Sequence, residues 1–177
     1  MSKKNPPEPV KLFVGYITNN TALIDRTNGI LEKRFGPIDS QSSIFNFDIT
    51  PYYNKELGDN LKRTFFSFKR LIGLENAYKI KILTNRIEAK FSTQDKRAIN
   101  IDPGYVSLSK LALFTTKDFY HRIYLGKGIY TELALFYRDK TFQPFEWSYP
   151  DYRSGEYIEF FNKLRENYMT ELRRPRC

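Results

Sequence analysis

The chain has 177 residues, with 29 Lys and Arg against 20 Asp and Glu, one histidine and one cysteine. The lone Cys177 can close no internal disulfide, and one His with one Cys cannot supply the nitrogen and sulfur ligands of a zinc site. No apolar run nears the ~18 residues that span a bilayer, and the start "MSKKNPPEPV" lacks the apolar core of a secretory signal, so a soluble cytoplasmic protein is expected.

Residues 1–9 are rich in Lys, Asn and Pro and read as a disordered lead-in, with a single domain expected over 10–177. "VKLFVGYI" (10–17) is a nearly continuous apolar run, the pattern of a central strand buried on both faces. A helix follows over 20–35, with Ile24, Thr27, Leu31 and Phe35 at helical spacing and Gly36-Pro37 as its stop. "SSIFNFDI" (42–49) alternates like a strand, with Phe45, Phe47 and Ile49 on one face. "TPYYNKELGDN" reads as loop, and "LKRTFFSFKRLI" (61–72) as the next strand.

Residues 73–91 carry a helical stripe of Ala77, Ile80, Leu83, Ile87 and Phe91. "RAINI" (97–101) is a short strand, and the Asp-Pro-Gly after it predicts a turn. "VSLSKLALFTT" fits a strand or a short helix. "FYHRIYL" (119–125) and "IYTELALFY" flank Gly126-Lys127-Gly128, a hairpin signal, and "TFQPFEW" fits an edge strand. After a loop through "SYPDYRSGE", residues 156–172 form a last helix with Ile158, Phe161, Leu164, Tyr168 and Leu172 on one side. The expected fold is α+β: an antiparallel or mixed sheet in the ferredoxin-like βαββαβ order, extended by a β-hairpin and a C-terminal helix.

Charge is concentrated in the middle of the chain. Residues 61–97 hold 10 Lys and Arg against 3 Asp and Glu. Lys79, Arg86 and Lys90 lie on one arc of the predicted helix and, with Arg63 and Lys69, make a positive surface. Interleaved with Phe65, Phe66 and Phe68, that surface suits nucleic acid; equally, it is a solvated face that keeps the protein soluble.

No phosphate loop, GxGxxG, HExxH or GxSxG occurs, which disfavours nucleotide binding of the P-loop kind. A magnesium site built from oxygen ligands stays open. The hairpin register decides what Glu132 meets. A three-residue loop sets Arg122 opposite Glu132, beside Tyr124 and Tyr130; a two-residue loop sets His121 there and gives it a carboxylate suited to acid/base work. Asp102 either accepts turn N–H groups or faces a ligand.

The combination of "KLFVG", "FGPID", "YYNKELG", "NIDPGY", "TTKD", "HRIYLGKGIYTE" and "WSYPDY" resembles the bacterial and archaeal family catalogued as domain of unknown function 4416. The resemblance runs over about residues 10–170. It implies that Tyr53, Glu56, Asn100, Asp102, Tyr105, Lys117, His121, Arg122, Glu132, Tyr149 and Asp151 matter together, and assigns them no chemistry.

Two functions follow as expectations. In the first, an anionic small molecule, phosphorylated or nucleotide-like, is held by Arg122 and Lys117 between Tyr53 and Tyr149. Glu56, Tyr105 and Asp151 contribute to that site, and His121, Asp102 and Glu132 are its acid/base groups. The second is a nucleic-acid or protein-partner module on Arg63, Lys69, Lys79, Arg86 and Lys90. Whether the protein is an enzyme, a binding domain or an adaptor is left open by the sequence.

Overall fold

A computed structural model describes residue 3 and residues 5–94 and 96–173; Cys177 and part of the lead-in lie outside the described residues. These residues form one antiparallel sheet of nine strands and four α-helices, an α+β fold. The elements run β1 (Lys11–Thr18), α1 (Ala22–Phe35), β2 (Ile38–Gln41), β3 (Phe45–Asn46), α2 (Asn54–Leu57), β4 (Lys62–Phe68), α3 (Tyr78–Lys90) and β5 (Asn100–Val106). They continue with β6 (Lys110–Thr115), β7 (Ile123–Gly126), β8 (Ile129–Arg138), β9 (Thr141–Pro144) and α4 (Gly155–Leu172). Across the sheet the order is β2-β4-β1-β5-β6-β8-β7, with β3 paired to β4 and β9 to β8.

The apolar run of β1 is buried along its whole length because it lies between β4 and β5 and is covered on both faces. Period two divides its side chains. Leu12, Val14 and Tyr16 meet α1 and α3 through Leu31, Phe35, Ile80 and Ile87. Phe13 points the other way, into a second core with Phe65 and Phe161, where its ring meets that of Phe161 edge-on at 5.0 Å. Helices α1 and α3 therefore cover one face and α4 the other. Ser154 caps α4, its hydroxyl accepting from the Tyr157 N–H at 3.3 Å. The buried stripe of α4 begins at Tyr157 rather than Ile158.

Three local expectations change. First, β5 runs straight through Asp102-Pro103-Gly104, so there is no turn. Gly104 is required by crowding instead: a Cβ there would strike the Ala112 carbonyl and come within 2.7 Å of the Phe13 ring. Second, β7 begins only at Ile123. Residues 119–122 form a turn closed by the Arg122 N–H on the Phe119 carbonyl at 2.9 Å. Third, the strand expected over 42–49 is only two residues long, and the following segment carries the 3-10 turn Pro51–Tyr53 and α2.

No helix among the described residues is long and apolar enough to cross a membrane.

Candidate functional site

The ladder between β5 and β6 pairs only three rows, ending at Gly104 opposite Leu113, whereas β6 continues to Thr115 against β8. Beyond that row the sheet opens. Both main-chain groups of Ile101 are taken by α3 rather than by a strand: its N–H donates to Glu88 Oε1 at 2.6 Å and its carbonyl accepts from Lys81 Nζ at 2.8 Å. Lys81 and Glu88 are buried, seven residues apart on the same stripe as Thr84. Two charged side chains thus occupy the place of a strand partner.

A cavity of about 630 Å³ lies at this opening and reaches both faces of the sheet. Its floor is Arg63, Ile17 and Asn100, one row across β4, β1 and β5. Tyr53 and Phe47 form one wall, and Tyr149, Asp151 and Tyr152 another.

Arg63 is 2% exposed. Its Nη1 donates to Asp102 Oδ2 at 2.8 Å and its Nη2 to the Tyr152 hydroxyl at 2.9 Å, while the guanidinium lies over the Phe65 ring at 4.7 Å. The reach to Asp102 crosses Gly15, which pairs with Asp102 in the next strand. A Cβ on Gly15 would sit 2.9 Å from Arg63 Nη2 and 2.8 Å from Phe65, so this position must lack a side chain. Burial pushes the Asp102 carboxyl up, but the charges of Arg63 and then Lys81 outweigh it and hold the group below its ordinary value. Among the described residues, Arg63 Nε has no hydrogen-bond partner, and Asn100 Nδ2 makes no well-formed bond, although the Asn100 side chain lies close enough to Asp102 to help hold that carboxyl low. The Asn100 side chain is fixed through its oxygen, which accepts from Arg97 at 2.7 Å. Arg97 in turn grips Glu56 with two bonds, of 2.6 and 2.7 Å. The Arg97 hydrogen bond is the largest influence on Glu56 and holds its carboxyl low.

On the far side, Glu132 receives both residues that competed for it in sequence. Past a bulge between Tyr124 and Gly126, the hairpin pairs Tyr124 with Tyr130 and Ile123 with Thr131, the register that sets Arg122 opposite Glu132. Arg122 Nε lies 2.7 Å from Glu132 Oε2. His121 sits in the turn, free of strand alternation, and its Nε2 is 2.8 Å from the same oxygen, with its ring stacked on Trp147 at 5.4 Å. Arg122 also donates to the Tyr149 hydroxyl at 2.9 Å and the Lys117 carbonyl at 3.0 Å. Burial, and then the Glu132 charge, push Tyr149 up.

Asp102, Glu132, Asp151, Tyr53, Tyr149 and Lys117 therefore line one cavity. Glu56, Arg122 and His121 stand behind it, each bound to a lining residue. Tyr105 does not belong: alternation along a continuous β5 turns it to the opposite face, against Phe114 in the α1/α3 core. No three His, Cys, Asp or Glu among the described residues gather as metal ligands. Sequence reasoning missed Arg63 as a cavity residue, along with Lys81, Glu88, Arg97 and Tyr152. A signal did exist for Arg63, which alternates inward with Phe65 and Ser67.

The basic surface is also smaller than expected. Lys79, Arg86, Lys90 and Lys69 are exposed, but Arg63 is buried on the other side of the sheet from α3. Phe65, Phe66 and Phe68 are core residues, so they offer no stacking platform for bases.

The family model described as a domain of unknown function, DUF4416, matches residues 8–168. The chain belongs to that family. Every lining residue of the cavity falls inside the matched span. No curated protein and no solved structure matches the chain.

Proposed function

We propose that this protein binds an anionic small molecule, phosphorylated or nucleotide-like, in the cavity where β5 and β6 part. One observation carries the reading. Among the described residues, a buried arginine and a buried asparagine that line a cavity large enough for such a molecule each keep an N–H donor without a well-formed hydrogen bond. Leaving a buried donor unpaired costs about 1–3 kcal/mol, so an acceptor group that reaches it contributes favourable free energy. A phosphate or carboxylate oxygen supplies that acceptor, and an arginine is the side chain best suited to it. Tyr53 and Tyr149 flank the space with aromatic surface, and Lys117 stands at its rim. Any proton transfer to a bound molecule falls to Asp102, Asp151 or Glu132, the carboxyls of the wall just described, with His121 acting only through Glu132. In this reading the strands β2-β4-β1-β5, with α1 and α3 as their crossovers, form a ferredoxin-like unit, and the added strands β6 to β9 supply the outer wall of the site.

The test is calorimetric titration of the protein with inorganic phosphate, sugar phosphates and nucleoside monophosphates, repeated on Arg63→Gln and Asn100→Ala. Binding by the wild type that weakens about tenfold or more in both variants is expected. Binding unchanged in both, or none by any of these anions, overturns the reading.

A further inference from the structure

The cavity wall carries four basic and four acidic side chains, a balance that does not suit a ligand of high negative charge. Most of these charges neutralise one another. Arg63 is met by Asp102 at 2.8 Å; Glu88 is met by Arg97 at 3.2 Å and by Lys81 at 3.9 Å; Glu132 is met by Arg122 at 2.7 Å. Lys117, exposed at the rim, has the Tyr52 hydroxyl at 2.8 Å and the Tyr52 ring beneath it.

Asp151 is the exception. It lies in the 3-10 turn Pro150–Arg153, is 7% exposed, and forms no salt bridge among the described residues, its carboxylate being met by main-chain N–H groups of its own turn. Its neighbour Tyr152 is the residue that binds Arg63 Nη2, so the turn ties this carboxyl to the same wall as the unmatched Arg63 Nε. Burial pushes Asp151 up, and the Arg63 charge offsets only part of the rise. The wall therefore presents a hydrogen-bond donor without an acceptor near an acid whose leading positive neighbour, Arg63, is already engaged by Asp102.

Resting on the binding reading above, we infer that the molecule this cavity takes is zwitterionic, its anionic group on Arg63 and Asn100 and an ammonium group on Asp151. A hydroxyl would give Asp151 a hydrogen bond but leave a buried charge only partly compensated by Arg63, whereas an ammonium answers both demands. The ring of Tyr149 borders the same space and is exposed enough to take a cation over its face, whereas the Tyr152 ring is covered by Phe161 and Arg63. A second anionic group there would meet Asp151, Asp102 and Glu132, and like charges repel strongly where water is excluded.

Compounds that differ only in exchanging ammonium for hydroxyl test this directly: glucosamine 6-phosphate against glucose 6-phosphate, phenylalanine against phenyllactate, glutamate against 2-hydroxyglutarate. Titration calorimetry on the full chain is expected to find at least one amine bound about tenfold tighter than its hydroxyl partner. Asp151→Asn, which keeps shape and removes charge, is expected to bring that ratio to about one while its hydroxyl ligand binds as before. Arg63→Gln and Asn100→Ala are expected to weaken both members of the pair alike. The inference is overturned if no amine binds, if hydroxyl partners bind equally well, or if Asp151→Asn keeps the preference. Hydroxyl compounds or phosphate bound in an Arg63-dependent way without amine preference would sink the inference and leave the binding reading standing. Binding of any of these indifferent to Arg63 and Asn100 would remove both.

Discussion

Lys11 and Arg63 sit on the same face of the same sheet, on adjacent strands, and both are almost wholly buried. Their surroundings differ in one respect. Lys11 Nζ is closed in by Asp39 and by both oxygens of Glu171, at 2.7 and 2.9 Å, with Glu171 delivered by the last turn of α4. Arg63 has one carboxylate, one hydroxyl and an aromatic ring, and its enclosed Nε has no hydrogen-bond partner among the described residues. At the Lys11 end the helix completes the charge cluster; at the Arg63 end the helix has not yet begun, and a cavity takes its place. A saturated buried cation fastens the helix to the sheet, while an unsaturated one is, in the reading proposed above, a binding group.

Substitutions can break this comparison. Lys11→Met strands two carboxylates and should cost the most, about 3–5 kcal/mol in urea unfolding. Arg63→Met should cost about 1–3 kcal/mol, because Asp102 remains partly open to the cavity and can be hydrated. Equal losses would mean that the Arg63 end is as structural as the Lys11 end.

Gly15→Ala sharpens the same contrast without touching a charge. The new Cβ crowds Phe65 and the guanidinium, and Phe65 is hemmed in by Tyr157 at 4.8 Å and Phe161 at 5.0 Å, so the guanidinium must move. A loss of about 1–2 kcal/mol is expected, together with weaker anion binding, read by melting and by calorimetry. Retention of full binding would show that the reach of Arg63 to Asp102 does not matter for the site.

The smallest effect concerns pH. The folded state holds the Asp151 pKa above its unfolded value of about 3.9. Ionisation of such a group weighs against folding, so its penalty is absent below the unfolded value and grows as pH rises through the folded one. Asp151→Asn removes the penalty. Its stability relative to wild type should therefore rise from pH 4 to pH 7, measured as urea midpoints on the free protein. A difference that shrinks over that range would show Asp151 to be stabilised as a carboxylate by the protein itself.

Much of this was legible beforehand. The central strand and the helices follow from spacing alone, whereas the hairpin register stays open between two loop lengths until the fold sets it; Asp102, Glu132, Tyr53, Tyr149 and Asp151 are site candidates in the sequence and line one cavity in the fold. Arg63 is hidden in the sequence because ten cations crowded into residues 61–97 look like one surface, and its alternation with Phe65 and Ser67 is the one local sign that it turns inward. Tyr105 enters as a site candidate through the resemblance alone, and on the continuous strand its odd spacing from Asp102 puts it on the opposite face.

What the sequence by itself determined is periodic: which residues alternate, which recur at helical spacing, where a chain must stop. Such patterns are set by the backbone within a few residues and need no partner. The tertiary structure alone decided where β5 and β6 separate, that Lys81 and Glu88 would stand in for a strand, and that Arg63 would cross Gly15 to reach Asp102. Those depend on side chains 13 to 39 positions apart, and only packing brings them within hydrogen-bonding distance.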